Sequence, residues 1–309
     1  MLLGYSISRL VIASVDYESK EAHVLIQEIK LLINHAMILS LINDIGFAWD
    51  EKVKVVMEIE NYSYLWFFSN LIQFKCVLMG DQGNSTVEQT PNFFQHLVFT
   101  AFYPFILLLV FTILSYIFSI SKGMAYIKNS IASFNLINLW LLYPDVTRQI
   151  FNTLSCADIV DGDKVDSRLF FDTEVKCWEG QHLNMIRFIC IPGLFFWVIG
   201  LPGIFYMKMC THHDYMKDTT LLSTESFDRR KKIQKTLKRL GFLFIGLKPD
   251  YYYWEILVMV RKAALIFMAV SFETYSPVGQ CLVSLFIIFA DMYFLYKYQP
   301  YESKQMNNL

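Results

Sequence analysis

The sequence predicts an all-α fold, a bundle of membrane-spanning helices, from three observations. Of 309 residues, 55% are hydrophobic and only 18% charged, too few charges to cover a water-facing surface of ordinary polarity. Two runs, 97–121 (25 residues) and 188–207 (20 residues), contain no Asp, Glu, Lys or Arg, and about 20 apolar residues let a helix cross a bilayer core. The other apolar segments are too long and too continuous for the alternating strands of a membrane barrel, which need only about 10 residues each.

Taken in order, the elements are six expected spans at 31–49, 96–121, 130–154, 186–207, 252–272 and 278–297, all within one bundle over 28–301. Residues 1–15 are apolar but too short to span and carry Arg9, so they read as the end of a partial helix at the start of a chain cut from something longer. They lack the basic start and small-residue cleavage site of a signal peptide. A basic segment, 209–250, separates the fourth and fifth spans, and 302–309 form a short tail. Between 272 and 278 only five residues remain, which makes the last two helices an antiparallel hairpin.

Orientation follows from the loops, because Lys and Arg are retained on the cytoplasmic side. The stretch 208–250 holds ten basic residues against five acids, so it is expected inside, together with 16–28 and the tail. Alternation then puts 50–92, 155–183 and 273–277 outside. Both N-x-Ser/Thr sequons, at Asn61 and Asn84, fall in the first of these outer segments, where glycosylation is possible. Cys156 and Cys177 bracket an outer loop in an oxidising space and are expected to pair. That loop is rich in acids (Asp158, Asp161, Asp163, Asp166, Asp172 and Glu174), a solvated surface or a weak cation site.

Within the spans, departures from plain apolar helix mark candidate functional residues. Pro192-Gly193 and Pro202-Gly203 repeat ten residues apart; each proline removes a backbone hydrogen bond and is expected to kink the helix, reflecting either the ordinary Pro and Gly content of membrane helices or a broken helix beside a pathway. Asp145 and Arg148, three apart, share a helix face and are expected to pair near the outer boundary. Glu255, Arg261 and Lys262 in the fifth expected span are costly unless they meet acids or water; Asp291 in the next helix or Asp44 in the first are the natural partners. Inside, Arg229, Arg230, Lys231, Lys232, Lys235, Lys238 and Arg239 crowd a helix-forming stretch with Phe227, Ile233, Leu237 and Leu240, suited to contact with anionic lipid headgroups as well as to setting topology. No phosphate loop, GxGxxG, HExxH or GxSxG motif is present, so no enzyme, cofactor or metal centre is expected. A net charge of −1 argues against nucleic acid.

Several short motifs from Leu141 onward carry a resemblance: Tyr143-Pro144-Asp145-Val146-Thr147-Arg148-Gln149 with Cys156, 172–178 with Gln181-His182-Leu183, and Pro192-Gly193 through Gly200-Leu201-Pro202. They continue with Gly241-Phe242-Leu243-Phe244-Ile245-Gly246-Leu247-Lys248-Pro249, then 252–255, Arg261-Lys262, Gln280 and Pro300-Tyr301. In these the chain resembles a family of protist multi-pass membrane proteins whose C-terminal portion is TRP-like, after the transient receptor potential channels, over 30–301. The resemblance implies a cation-channel-like function and a large extracellular region upstream. One departure is that the five residues between the last two helices cannot hold a pore loop, so a pore would lie at 62–74 or between helices.

The expected function is therefore a TRP-like cation channel or channel-like receptor component. A non-conducting membrane scaffold or receptor anchor is the alternative. A secondary transporter has no inverted repeat to support it. Expected partners are the lipid bilayer, anionic lipids at the basic segment, cations, and further copies or a larger membrane complex. The expected location is the plasma membrane or another membrane of the secretory pathway, with a multi-pass arrangement.

Overall fold

The structure is a computed structural model and describes residues 20–43, 92–119, 124–161, 164–214, 227–271 and 277–302. Among the described residues, seven helices and one small sheet follow each other: α1 Lys20–Asn43, α2 Asn92–Ser119, α3 Met124–Asn152, β1 Cys156–Asp161, β2 Lys164–Leu169, β3 Asp172–Lys176, α4 Gly180–Thr211, α5 Phe227–Phe244, α6 Trp254–Ser271 and α7 Pro277–Tyr298.

The expected six-span, all-helical bundle is corrected on two counts. Among the described residues, only α4 (Gly180–Thr211, 32 residues) and Val278–Tyr298 of α7 (21 residues) are long and apolar enough to cross a membrane. In α2 (Asn92–Ser119) the described side chains Phe102, Phe105, Ile106 and Leu109 are exposed, as in α7. α1 and α6 fall short because charged residues interrupt them (Glu28 and Lys30; Glu255, Arg261 and Lys262), and with α3 they bury their apolar faces in protein. In α1, Ile26, Ile29, Ile33 and Met37 recur at helical spacing and are buried in the protein core beside Gln27 and Lys30. In α3, Ile137, Trp140, Leu142 and Tyr143 are almost fully enclosed, and α6 buries Val258, Met259, Leu265 and Ile266. These apolar residues pack on other helices, whereas α7 shows the opposite pattern, with Leu282, Phe286, Phe289 and Tyr296 exposed.

The second correction is the sheet. The acidic segment after Cys156 is not a loop but an antiparallel meander in the order β1-β2-β3, with Cys156 opposite Leu169 and Asp161 opposite Lys164. Phe170 and Phe171 make the turn from β2 to β3, and the pairing of these strands has a register irregularity at Arg168/Leu169. Its acids are used locally. Asp166 pairs with Arg168 (3.3 Å) and Lys176 (3.7 Å), and Asp158 accepts the Ser167 hydroxyl.

α3 is the hub, with α2, α5, α6 and the middle of α4 packed around it. At one end of the molecule, α4 begins beside the sheet. At the other, the ends of α4 and α7 meet the same segment. The Tyr252 hydroxyl lies 3.5 Å from Cys210 Sγ, its ring 4.5 Å from His213, and the Tyr251 ring 6.0 Å from Tyr298. The Lys248 amide donates to the Pro300 carbonyl (2.7 Å) and Leu247 bridges Tyr301. Both apolar helices therefore end on one face of the molecule, a face crowded with tyrosines.

Candidate functional site

The site begins with a carboxylate that the fold encloses. Glu255 stands in the first turn of α6 and is 5% exposed. Its Oε2 accepts from Lys30 Nζ of α1 (2.9 Å) and its Oε1 from Trp140 Nε1 of α3 (2.7 Å). A buried carboxylate needs such partners, because leaving it unpaired costs several kcal/mol. Lys30 also lies over the Phe242 ring of α5 (4.4 Å), Phe242 meets Trp140 edge-on (5.3 Å), and Lys262 Nζ sits 3.8 Å from the Trp140 ring centre. Four helices thus converge on two cations, one carboxylate and two aromatic rings. Burial lowers the pKa of the Lys30 ammonium, and the Glu255 charge and hydrogen bond oppose that shift.

Beside this centre, Arg261 Nη1 meets Asp291 Oδ2 of α7 in a half-buried ion pair. The other expected charges divide differently. Lys262 meets Trp140, and Glu255 takes Lys30, a residue that sequence reasoning missed. Asp145 and Arg148 interact electrostatically across one turn of α3. Asp44, Asn61, Asn84, 1–15, 62–74 and all of the tail beyond Glu302 lie outside the described residues.

The proline-bearing helix α4 is continuous rather than broken. Its hydrogen-bond register widens to π over Ile186–Cys190 and Leu194–Gly200, on either side of Pro192. Pro202 has no N–H for the Val198 carbonyl four residues earlier, and the Tyr143 hydroxyl of α3 donates to that carbonyl instead (3.1 Å). Trp197 Nε1 returns a bond to the Tyr143 carbonyl (3.3 Å). A Cβ on Gly193 would come within 2.9 Å of Ile150, so glycine there lets α4 lie close against α3; Gly203 faces open space. A cavity of about 220 Å³ beside Pro192 is walled by Phe102, Phe105, Phe188 and Phe196, and among its lining residues only Gln149 and Trp197 carry polar side-chain groups.

At the opposite end from the tyrosines, Cys156 and Cys177 are joined in a disulfide, with Cα atoms 6.3 Å apart. It packs with Leu169 and Val175 in a small separate core. His182, also missed by sequence reasoning as a site residue, ties this cap to α3. Its Nδ1 accepts the Trp178 amide (2.9 Å), which leaves Nε2–H to donate to the Thr153 carbonyl (2.9 Å). His182 Nδ1 or Nε2 and the two sulfurs lie within 4.8 Å of one another, but the sulfurs are bonded to each other.

In the basic segment, α5 turns Ile233 and Thr236 inward and leaves Arg230, Lys231, Lys232 and Lys235 exposed. Arg239 Nε donates to Asn129 Oδ1 of α3 (2.8 Å) and is not a free headgroup ligand. Gly246, which ends this region, has φ +80, and a Cβ there would meet Gln27 at 2.7 Å while the Gln27 amide donates to the Ile245 carbonyl.

No protein-family model matches the chain, and no solved structure matches it. A curated relative is the cysteine repeat modular protein A of Toxoplasma gondii, 28% identical over 132 residues. That stretch is 41% of this chain and spans 4% of the relative's length.

Proposed function

We propose that this chain is a membrane-inserted module of a larger protein and works as a cation-channel-like or receptor component. α4 and α7 are the helices whose exposed apolar faces meet the bilayer, and the observation that carries the reading is α4 itself. It combines length, apolar exposed residues such as Phe188, Phe195 and Phe196, and two π-helical stretches, the second hydrogen-bonded to Tyr143 of α3, one turn from Trp140 of the charged centre. Each π turn holds one extra residue. Converting it to α register turns the helix beyond it by about 100°, a discrete motion available without breaking the chain. α4 begins at the disulfide-bonded cap and ends at Tyr252, three residues before Glu255, so such a turn links the cap to the charged centre. The similarity to a small fraction of a much longer protein supports the module reading.

A non-conducting anchor is the second reading, and a specific observation favours it. Glu255 is already satisfied by Lys30 and Trp140, and the cavity by Pro192 is walled by carbon, so neither offers a cation free oxygen ligands. Purified chain in planar bilayers tests the two. Cation current that falls when Asp291 is changed to Asn supports the channel-like component. Silence of this chain and of a longer natural form leaves the anchor. The sequons at Asn61 and Asn84 lie outside the described residues; their use is tested by glycosidase treatment of protein from glycosylating cells, which is expected to lower its mass.

A further inference from the structure

The basic residues of α5 are not absorbed by the charged centre, and the fold gives them a defined place. α5 docks on α3 through Ile233 and Thr236, with Leu237 and Leu240 half-buried. The Ser133 hydroxyl donates to the Lys238 carbonyl and Arg239 is held by Asn129. Lys231, Lys235 and Lys238 recur at i, i+4 and i+7, and so run along the face opposite that contact. Asp228 is the one acid in this helix. Like charges four apart at Lys231 and Lys235 repel one another on this face, so the helix as built has a surface that an external polyanion would relieve.

Position decides which polyanion. The chain leaves α5 through the tight Gly246 turn and is pinned by the Lys248–Pro300 hydrogen bond to the segment where α4 and α7 both end. An 18-residue helix is about 27 Å long, so its cationic face is tethered within one helix length of the surface at which those apolar helices emerge. Any acidic protein must diffuse to it, whereas lipid headgroups are held there at high effective concentration. Phe227, 74% exposed at the far end, supplies an apolar group suited to the headgroup boundary.

We infer that Arg230, Lys231, Lys232 and Lys235 bind anionic phospholipid headgroups of the leaflet at which α4 and α7 end. The inference rests on the membrane reading above. Arg239 is excluded from the set by its bond to Asn129.

The full chain carrying Gln234→Cys, labelled there with a fluorophore and corrected for label on the unsubstituted chain, is placed in nanodiscs. These consist of phosphatidylcholine alone or of phosphatidylcholine with phosphatidylserine, each containing a headgroup-linked quencher. Quenching about threefold stronger with phosphatidylserine is expected, lost at high salt and in Lys231→Glu/Lys235→Glu. Lys231→Gln/Lys235→Gln, milder for folding, should lose a smaller part of it. Chain that enters the discs but is quenched equally with and without phosphatidylserine overturns the headgroup contact while the membrane reading stands. Chain that does not enter the discs overturns both. Added soluble phosphate that abolishes quenching at constant ionic strength would also overturn it, since the ligand would then be a free anion.

Discussion

Glu255 accepts hydrogen bonds from two helices other than its own, so its removal strands Lys30 as a buried cation and Trp140 as a buried donor. Glu255→Ala is expected to cost about 3–5 kcal/mol, read as a lowered thermal unfolding midpoint in detergent. Lys30→Met with Glu255→Leu in one chain should recover most of that loss, because an apolar pair of similar volume needs no desolvation. A double variant as unstable as the single one would show that the pair is not the cause. At Arg261 and Asp291, Asp291→Lys is expected to lower surface expression, and Arg261→Asp in the same chain to restore part of it. Equal loss in both chains would mean polarity rather than pairing. The sequence marks Glu255, Arg261, Lys262 and Asp291 as costly charges in apolar surroundings. It did not mark Lys30, which stands at the edge of an apolar run where a lysine ordinarily reaches water. Its partner is set by the depth at which α1 crosses α6, and no local pattern encodes that depth.

In α4 the two Pro-Gly units are legible as missing backbone donors, but how the helix absorbs them is not. Tyr143 answers Pro202 from another helix, and that relation can be measured. Tyr143→Phe should cost about 1 kcal/mol in the natural chain and clearly less in Pro202→Ala, where a new N–H serves the Val198 carbonyl. Equal costs in the two backgrounds would dissociate the tyrosine from the proline. Gly246→Ala should lose more than about 1 kcal/mol, since both the positive φ and the Gln27 contact oppose a side chain. The hairpin after Cys156 had a signal that the acid content masked. Val165, Ser167 and Leu169 alternate with Lys164, Asp166 and Arg168, the period of a strand.

For the whole molecule, the disulfide and His182 join the sheet to the ends of α3 and α4, so the cap and the helices are expected to respond together. Peptide mapping of unreduced protein from native membranes should find Cys156 linked to Cys177; both recovered as free thiols would contradict the bond. Cys156→Ser with Cys177→Ser should destabilise the cap by about 2–4 kcal/mol, read as faster proteolysis within 156–177. Orientation is tested at Lys232. Lys232→Cys should label with an impermeant reagent only from the cytoplasmic side. Labelling from outside would invert the face on which α4 and α7 end.

By itself the sequence determined the excess of apolar residues, the apolar stretches within α4 and α7, the cationic helix after α4 and the charges that needed partners. These are properties of composition and local period, which any chain carries before it folds. Only the tertiary structure decided that the apolar faces of α1, α3 and α6 are covered by protein, that Glu255 belongs to Lys30 and Arg261 to Asp291, and that Arg239 is engaged by Asn129. The reason is physical. A helix buried in protein and a helix bathed in lipid remove the same apolar side chains from water, so hydropathy cannot tell them apart. Which face meets which neighbour, and which charge meets which, is fixed by the packing of elements far apart in the chain.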